Sequence, residues 1–247
     1  MKRIWLVMLV FLISNLTGCF AYLDEKNNLE QGENYMLRYY DENKNSVSIG
    51  GVMVVPEEGV LFIPHYIKGM PVVKLGFPVY SESGNLDGLN RLKRVYFPST
   101  IKEIKDGYII SSWIHDVFYC GAIIDLESLY SPADYHKDQT IYLPFDDYTK
   151  YLEVYTPRQE EIEITLRRAN VAYYLNYDEY KYYYIDYYEN GELIAHIPPI
   201  PEREGYEFNG WYKEQECINE WDFKVDTITY DQENPSETKL YAKWIQK

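Results

Sequence analysis

The stretch that decides the fold of the C-terminal part is Arg203-Glu204-Gly205-Tyr206-Glu207-Phe208-Asn209-Gly210-Trp211-Tyr212. It is followed by Trp221-Asp222-Phe223 and by a closing Leu240-Tyr241-Ala242-Lys243-Trp244. Burial of one aromatic side chain removes about 150–250 Å² from water, which is worth about 4–6 kcal/mol before costs are subtracted. Four aromatic side chains are therefore candidates for the core of a small module: Trp211, Trp221, Phe223 and Trp244.

Together these motifs resemble the Listeria–Bacteroides repeat, also known as the internalin B-repeat. The resemblance covers about residues 171–245 and includes nearly every hallmark residue of the family. It implies a small β-grasp-like module, which we assign to residues 171–247. Because most of the aromatic residues stand at motif positions, we expect them to form a core rather than a platform for stacking sugars.

The stretch before this motif is unusually rich in tyrosine, with nine Tyr among the sixteen residues 173–188. Neighbouring side chains of a strand point to opposite faces, so consecutive tyrosines cannot all face one core. Tyrosine combines an apolar ring with a polar tip, which makes it a frequent contact residue in interfaces. We therefore expect an exposed candidate binding surface made of Tyr182, Tyr183, Tyr184, Tyr187 and Tyr188.

Residues 46–156 alternate short β-rich runs with turn residues. Three runs end in an apolar residue and a proline: Phe62-Ile63-Pro64, Tyr96-Phe97-Pro98 and Tyr142-Leu143-Pro144. Proline lacks an N–H donor and fixes its own φ, so it ends a strand at a defined place. Such repetition predicts a solenoid, in which each coil buries its apolar face against its neighbours. A non-repetitive β-sheet domain is the alternative.

The segment from 92 to 104 resembles the BspA-type leucine-rich repeats of bacterial surface proteins. The chain departs from that family at Asp106-Gly107-Tyr108, which replaces its usual Gly-x-x-Ala-Phe step, and residues 81–89 resemble a loop insertion. The resemblance implies a short, irregular leucine-rich-repeat solenoid over residues 46–156. We expect residues 157–170 to form a linker that runs into a strand, because Ile164 and Leu166 stand at alternate positions. The predicted fold class is thus mainly β with minor α.

The N-terminus combines a basic start, Met1-Lys2-Arg3, with an apolar run from Ile4 to Ile13. A span of the bilayer needs about 20 apolar residues, so this run has the length of a signal-peptide core instead. The following Leu16-Thr17-Gly18-Cys19 resembles the lipobox of bacterial lipoproteins. The resemblance implies a signal peptide over residues 1–18, lipidation of Cys19 and a polar tether over residues 19–45. The alternatives are an uncleaved anchor helix, or a signal peptide that is cleaved elsewhere so that Cys19 is incidental.

Composition limits the function classes. The net charge of −15 and the pI near 4.7 oppose nucleic-acid binding, which relies on Lys and Arg to neutralise phosphates. With 46% hydrophobic and 26% charged residues, the chain is neither wholly disordered nor a polytopic membrane protein. Its three cysteines are too few for a dense disulfide framework.

The sequence contains no nucleotide-binding or hydrolase motif. His115 and Cys120 have the residue types of a base and a nucleophile, but residues 117–121 are typical of a buried strand that ends at a glycine. Asp146, Asp147 and Asp222 have the oxygen ligands that Ca²⁺ prefers, yet no EF-hand loop surrounds them. We therefore expect no catalysis, no cofactor and no metal.

These features together predict a lipid-anchored protein at the outer face of a bacterial membrane. We expect a non-catalytic binding or adhesion scaffold whose partner is a host or envelope protein or a polysaccharide. One alternative is an envelope structural or spacer protein that recognises no specific ligand, and another is an enzyme or the accessory subunit of an enzyme.

Overall fold

The structure is a computed structural model. It describes residues 29–31, 35–39, 45–52, 56, 58–75, 91–104, 114–129, 139–155, 164–177, 182–231, 233 and 235–247. The predicted signal peptide, the predicted lipidation site at Cys19 and much of the predicted tether lie outside these residues.

The described part of the chain is mainly β-structure with one α-helix, as expected from the sequence. The helix, α1, spans Tyr148–Val154, and a 3₁₀ turn spans Leu126–Leu129. In chain order the strands are β1 (Leu29–Gln31), β2 (Tyr35–Tyr39), β3 (Val47–Val52), β4 (Val60–Phe62), β5 (Tyr66–Ile67), β6 (Met70–Leu75), β7 (Arg94–Phe97), β8 (Glu103–Ile104), β9 (Asp116–Tyr119), β10 (Gln139–Leu143), β11 (Ile164–Arg168), β12 (Val171–Tyr174), β13 (Tyr184–Asp186), β14 (Tyr206–Tyr212) and β15 (Thr238–Gln246).

Five strands form a sheet that we call the parallel sheet: β4, β7, β9, β10 and β11 lie side by side in chain order, and every neighbouring pair is parallel. The last four of these strands begin at residues 94, 116, 139 and 164, at intervals of 22, 23 and 25 residues. β4, β7 and β10 end within two residues of Pro64, Pro98 and Pro144. The expected strand ends at these prolines are confirmed.

A second, six-stranded sheet packs against one face of the parallel sheet. Its order is β1-β2-β3-β6-β5, and β8 also pairs with β6. Along β7 and β9, Val95 and Val117 face the core between the two sheets, whereas Tyr96 and Phe118 face the other side. Both faces of the parallel sheet are therefore covered, as is usual for parallel strands.

The described part of the connection between the two halves of the chain, residues 164–170, contains a strand. Residues 157–170 are the predicted linker, and β11 lies within them, where Ile164 and Leu166 alternate as a strand requires. β11 pairs in register with β10 and so forms the outer strand of the parallel sheet. Only residues 169 and 170 separate it from β12, so the chain passes directly into the next sheet.

The C-terminal sheet has the order β13-β12-β15-β14. β12 runs parallel to β15, while the other two pairs are antiparallel. Trp211 and Trp221 are buried, and Phe223 and Trp244 pack against the same cluster. The expectation that these aromatic residues form a core is confirmed.

Candidate functional site

An aromatic ladder runs across the outer face of the parallel sheet. Its members are Phe62, Tyr96, Phe118 and Tyr142, one from each of four adjacent strands. Neighbouring rings are stacked, with centroids 4.1, 4.5 and 4.5 Å apart and interplanar angles of 9, 11 and 6°. The parallel register aligns these residues, and the spacing of about 4.8 Å between strands sets the distance between the rings.

The Tyr-rich segment, residues 182–188, covers this ladder. The Tyr184 ring contacts Phe62 edge-on at 5.2 Å, and its hydroxyl donates a hydrogen bond to the Ile63 carbonyl at 2.6 Å. At the other end, the Tyr187 ring stacks on Tyr142 at 5.2 Å. The C-terminal sheet is thus attached to the parallel sheet through the tyrosines that the sequence analysis singled out.

The expectation that this segment forms an exposed binding surface is wrong for four of its five tyrosines. Tyr182, Tyr183, Tyr184 and Tyr188 are only 3, 5, 1 and 6% exposed. Alternating side chains leave one face of a strand in water only where nothing covers that face. Here one face meets the core of the C-terminal sheet and the other meets the parallel sheet, so consecutive tyrosines are all buried.

Tyr187, the fifth candidate, is half-buried at the edge of the same contact. The Arg167 guanidinium lies 4.7 Å from the centre of its ring and donates a hydrogen bond to its hydroxyl at 3.3 Å. The Tyr187 hydroxyl in turn donates to the Glu189 carboxylate at 3.0 Å. It is therefore held by residues of this chain rather than presented to a ligand.

A buried carboxylate lies at the centre of the contact. Asp186 is fully buried and accepts hydrogen bonds from the Tyr96 hydroxyl at 3.0 Å and the Tyr187 amide at 2.8 Å. The Arg94 guanidinium lies 3.6 Å from it and also pairs with Asp116 at 3.1 Å. Burial raises the pKa of Asp186 to about 7, although Arg94 and the hydrogen bonds act in the opposite direction.

Backbone contacts fix the position of the segment. Ser99 donates a hydrogen bond to the Tyr182 carbonyl, and the Asn170 side-chain amide donates to the Tyr188 carbonyl at 2.7 Å. The Tyr188 amide donates back to the Asn170 side chain at 3.1 Å. These bonds fix the orientation of the two sheets, because Ser99 belongs to the first half of the chain and Asn170 to the connection.

An open groove lies where the two halves of the chain meet, and its volume is about 930 Å³. Tyr66 and Gly69 line it from the first half, while residues 200–208 line it from the second. The volume lies within the range of about 300–1,000 Å³ that is common for ligand sites. This groove is therefore a candidate binding site within the described residues.

Aromatic rings hold a guanidinium at one wall of the groove. The guanidinium carbon of Arg203 lies 3.8 Å from the ring centre of Tyr206, 4.5 Å from that of Tyr177 and 5.9 Å from that of Trp244. Trp244 is fixed by its indole N–H, which donates to the Leu175 carbonyl at 2.6 Å. These cation–π contacts keep Arg203 against the wall, since each is worth about 0.5–2 kcal/mol.

The rim of the groove is acidic. Glu202, Glu204 and Glu207 are exposed, and no side chain in the described ranges pairs with their carboxylates. One exposed cation, Lys247, also lines the groove. The site was not predicted, because the Arg203–Tyr212 motif indicates a core. No sequence pattern predicts that Tyr66, from a distant part of the chain, lies at this groove.

The residues weighed for catalysis or metal binding lie beside β9, before α1 and in the turn after Trp221. His115 is exposed before β9, whereas Cys120 is buried after it and donates a hydrogen bond to the Phe97 carbonyl at 3.2 Å. Burial raises the pKa of the Cys120 thiol. The Asp222 carboxylate accepts from the Lys224 amide at 2.9 Å, which closes a turn.

Asp147 pairs with Lys150 at 2.6 Å, and Asp146 lies 4.0 Å from Lys239. Within the part of the chain that the structure covers, no three His, Cys, Asp or Glu residues are grouped as metal ligands. In the same residues, no helix has the length and apolar character needed to cross a membrane.

Comparison with known proteins identifies the C-terminal part. Residues 173–243 match the Listeria-Bacteroides repeat domain, which confirms the resemblance drawn from the motifs. Two proteins of Evansella cellulosilytica also share short stretches with this chain. One, named "Putative Gly-rich membrane protein", is 45% identical over 56 residues, and the other, named "Putative membrane protein", is 49% identical over 47 residues.

These matches cover 23% and 19% of this chain but only 6% of each relative. The shared stretch is thus a small part of both Evansella proteins.

Proposed function

We propose that this chain is a lipid-anchored bacterial cell-surface protein that acts as a non-catalytic binding scaffold for proteins or glycans. The observation that carries the proposal is the groove built jointly by the two halves of the chain, next to a buried aromatic contact that fixes their orientation. The match to the Listeria-Bacteroides repeat and the names of the two Evansella relatives support a surface or membrane location. The lipobox-like Leu16-Thr17-Gly18-Cys19 supports anchorage through Cys19.

We further propose that the first half is a short BspA-type leucine-rich-repeat solenoid. Parallel strands that follow one another in chain order, at intervals of 22, 23 and 25 residues, support this interpretation. In this view the C-terminal sheet covers the outer face of the strands, where the aromatic ladder lies. The Listeria-Bacteroides repeat then buries the outer face of the short solenoid.

A spacer protein without a ligand is the second candidate. The continuous buried contact between the halves favours it, because a rigid body suits a structural role as well as a binding role. The two candidates differ in one respect: only a binding scaffold gives saturable binding that depends on the groove.

Two measurements test the proposal. First, cells that express the chain are grown with radiolabelled palmitate, and we expect label in the wild type and none in Cys19→Ser. Second, the purified chain is passed over immobilised matrix proteins and envelope polysaccharides. We expect saturable binding that Tyr177→Ala weakens about tenfold or more, because its ring is part of the groove wall.

Glu153→Lys is the matched control, since Glu153 is exposed on α1 and does not line the groove. Binding that Glu153→Lys and Tyr177→Ala reduce equally contradicts the groove as the site. Absence of saturable binding to every surface favours the spacer instead.

A further inference from the structure

The sheet edge that borders the groove is only half covered. β14 is the outer strand of the C-terminal sheet. Its second half is covered by residues 219–221, because Trp221 N donates to Trp211 O at 2.8 Å and Lys213 N donates to Asn219 O at 2.9 Å. Its first half, residues 206–208, lines the groove instead.

The register of β14 shows which of its backbone groups face away from β15. Lys247 N donates to Gly205 O at 3.0 Å, so the peptide groups of residue 205 face β15. Because these groups alternate along an antiparallel pair, those of Tyr206 and Phe208 face away from β15. The Tyr206 amide donates a hydrogen bond to Arg203 O at 3.1 Å. The N–H and C=O of Phe208 have no hydrogen-bond partner in the part of the chain that is described.

The side chains around this edge favour a cationic occupant. Glu202, Glu204 and Glu207 are exposed and unpaired within the described ranges. The lining also holds two cations, the exposed Lys247 and Arg203, which is packed on aromatic rings, so the three carboxylates outnumber them by one. The whole chain carries a net charge of −15. Ile200, which also lines the groove, is 75% exposed and offers an apolar contact.

We infer that the groove binds an extended, basic peptide segment of a partner protein, which adds to the free half of β14 as a fifth strand. Main-chain hydrogen bonds to Phe208 supply the pairing, as in other cases of strand addition. The three carboxylates select Lys and Arg side chains over acidic ones. The inference rests on the proposed binding function and specifies its ligand class.

The chemistry of the groove opposes two other ligand classes. An anionic polysaccharide would meet the three carboxylates and a chain of high negative charge. A neutral glycan has no peptide backbone and so cannot form strand-like hydrogen bonds with the outward N–H and C=O of Phe208. The test therefore includes a neutral oligosaccharide.

The experiment uses the full chain and a fluorescent nine-residue peptide of alternating lysine and valine, followed by anisotropy. We expect saturable binding that weakens as salt rises, and none for a peptide with glutamate in place of lysine. Two further peptides carry N-methyl groups at the odd or at the even positions. Because one parity faces β14, we expect N-methylation at one parity to abolish binding and at the other to leave it within about threefold.

Glu204→Lys tests the charge of the rim and is expected to weaken peptide binding about tenfold or more, while Glu153→Lys is the control. The amide resonance of Phe208 gives a second readout that does not depend on any substitution: its exchange with solvent slows when the peptide binds.

Equal loss, or no loss, with both N-methylated peptides overturns the inference. If the peptide does not bind but a neutral oligosaccharide does, and Tyr177→Ala abolishes that binding, the inference falls while the proposed scaffold function stands. If neither the peptide, the oligosaccharide nor any immobilised surface binds, both fall.

Discussion

Replacement of Tyr184 by phenylalanine removes one hydroxyl from the contact between the Tyr-rich segment and the parallel sheet. Tyr184 is 1% exposed, and its hydroxyl donates to the carbonyl of Ile63, itself buried, at 2.6 Å. The phenylalanine ring keeps the contacts with Phe62 and Tyr96. The substitution therefore isolates the hydrogen bond from the packing.

The expected cost follows from the carbonyl left without its donor. A buried polar group that loses its partner costs about 1–3 kcal/mol of the free energy of unfolding. In a chain of this size each kcal/mol lowers Tm by about 2–4 °C, so we expect a decrease of about 2–12 °C. Scanning calorimetry of the purified chain measures it.

Tyr187→Phe is the matched control. Its hydroxyl bonds to Glu189 and Arg167 at the exposed edge of the same segment, so its removal is expected to change the free energy of unfolding by less than about 0.5 kcal/mol. If the two variants have the same Tm, the Tyr184 hydroxyl is not buried against the parallel sheet and the reasoning is refuted.

Two further predictions concern charge and backbone. Burial raises the pKa of Asp186 from 3.8 to about 7, so the folded chain binds this proton more tightly than the unfolded chain. The protonated carboxyl group therefore contributes stability that is lost as pH rises from about 4 to about 7, by at most about 1.4 kcal/mol per pH unit. Between pH 5 and pH 7.5 we expect the Tm of the wild type to decrease more than the Tm of Asp186→Asn. An equal loss in both proteins contradicts this. Gly59→Ala is expected to cost more than Gly69→Ala in urea unfolding: both have positive φ, but a Cβ on Gly59 would lie 2.1 Å from the backbone oxygen of Arg91, whereas Gly69 has open space. Equal midpoints for the two variants would contradict the close approach at Gly59.

Local signals in the sequence were sufficient for much of the fold. The three apolar-proline steps marked the ends of β4, β7 and β10, because proline cannot continue a hydrogen-bonded ladder. The Arg203–Tyr212 motif indicated the aromatic core of the C-terminal sheet. Each of these inferences depends on residues that are close together in the chain.

The burial of the Tyr-rich segment could not be predicted from such local signals. Whether Tyr183 and Tyr184 face water or protein depends on what covers them, and the cover comes from Phe62, His65 and Tyr96 in the first half of the chain. Nothing in the tyrosine pattern specifies that partner. The aromatic ladder could not be predicted either, because its members align only through the parallel pairing of strands that are far apart in the chain.

The groove has the same origin. Tyr206 and Arg203 belong to a motif that indicates a core, and their position at a binding site arises because Tyr66 and Gly69 lie opposite them. Sequence spacing within the motif carries no information about that approach.

Hydroxyl-radical footprinting of the full chain, with each modified tyrosine located by mass spectrometry, tests the buried contact most directly. We expect Tyr182, Tyr183, Tyr184 and Tyr188 to resist oxidation while Tyr177, which is 36% exposed, reacts readily. Oxidation of the four segment tyrosines at the rate of Tyr177 would mean that the two sheets do not meet through them.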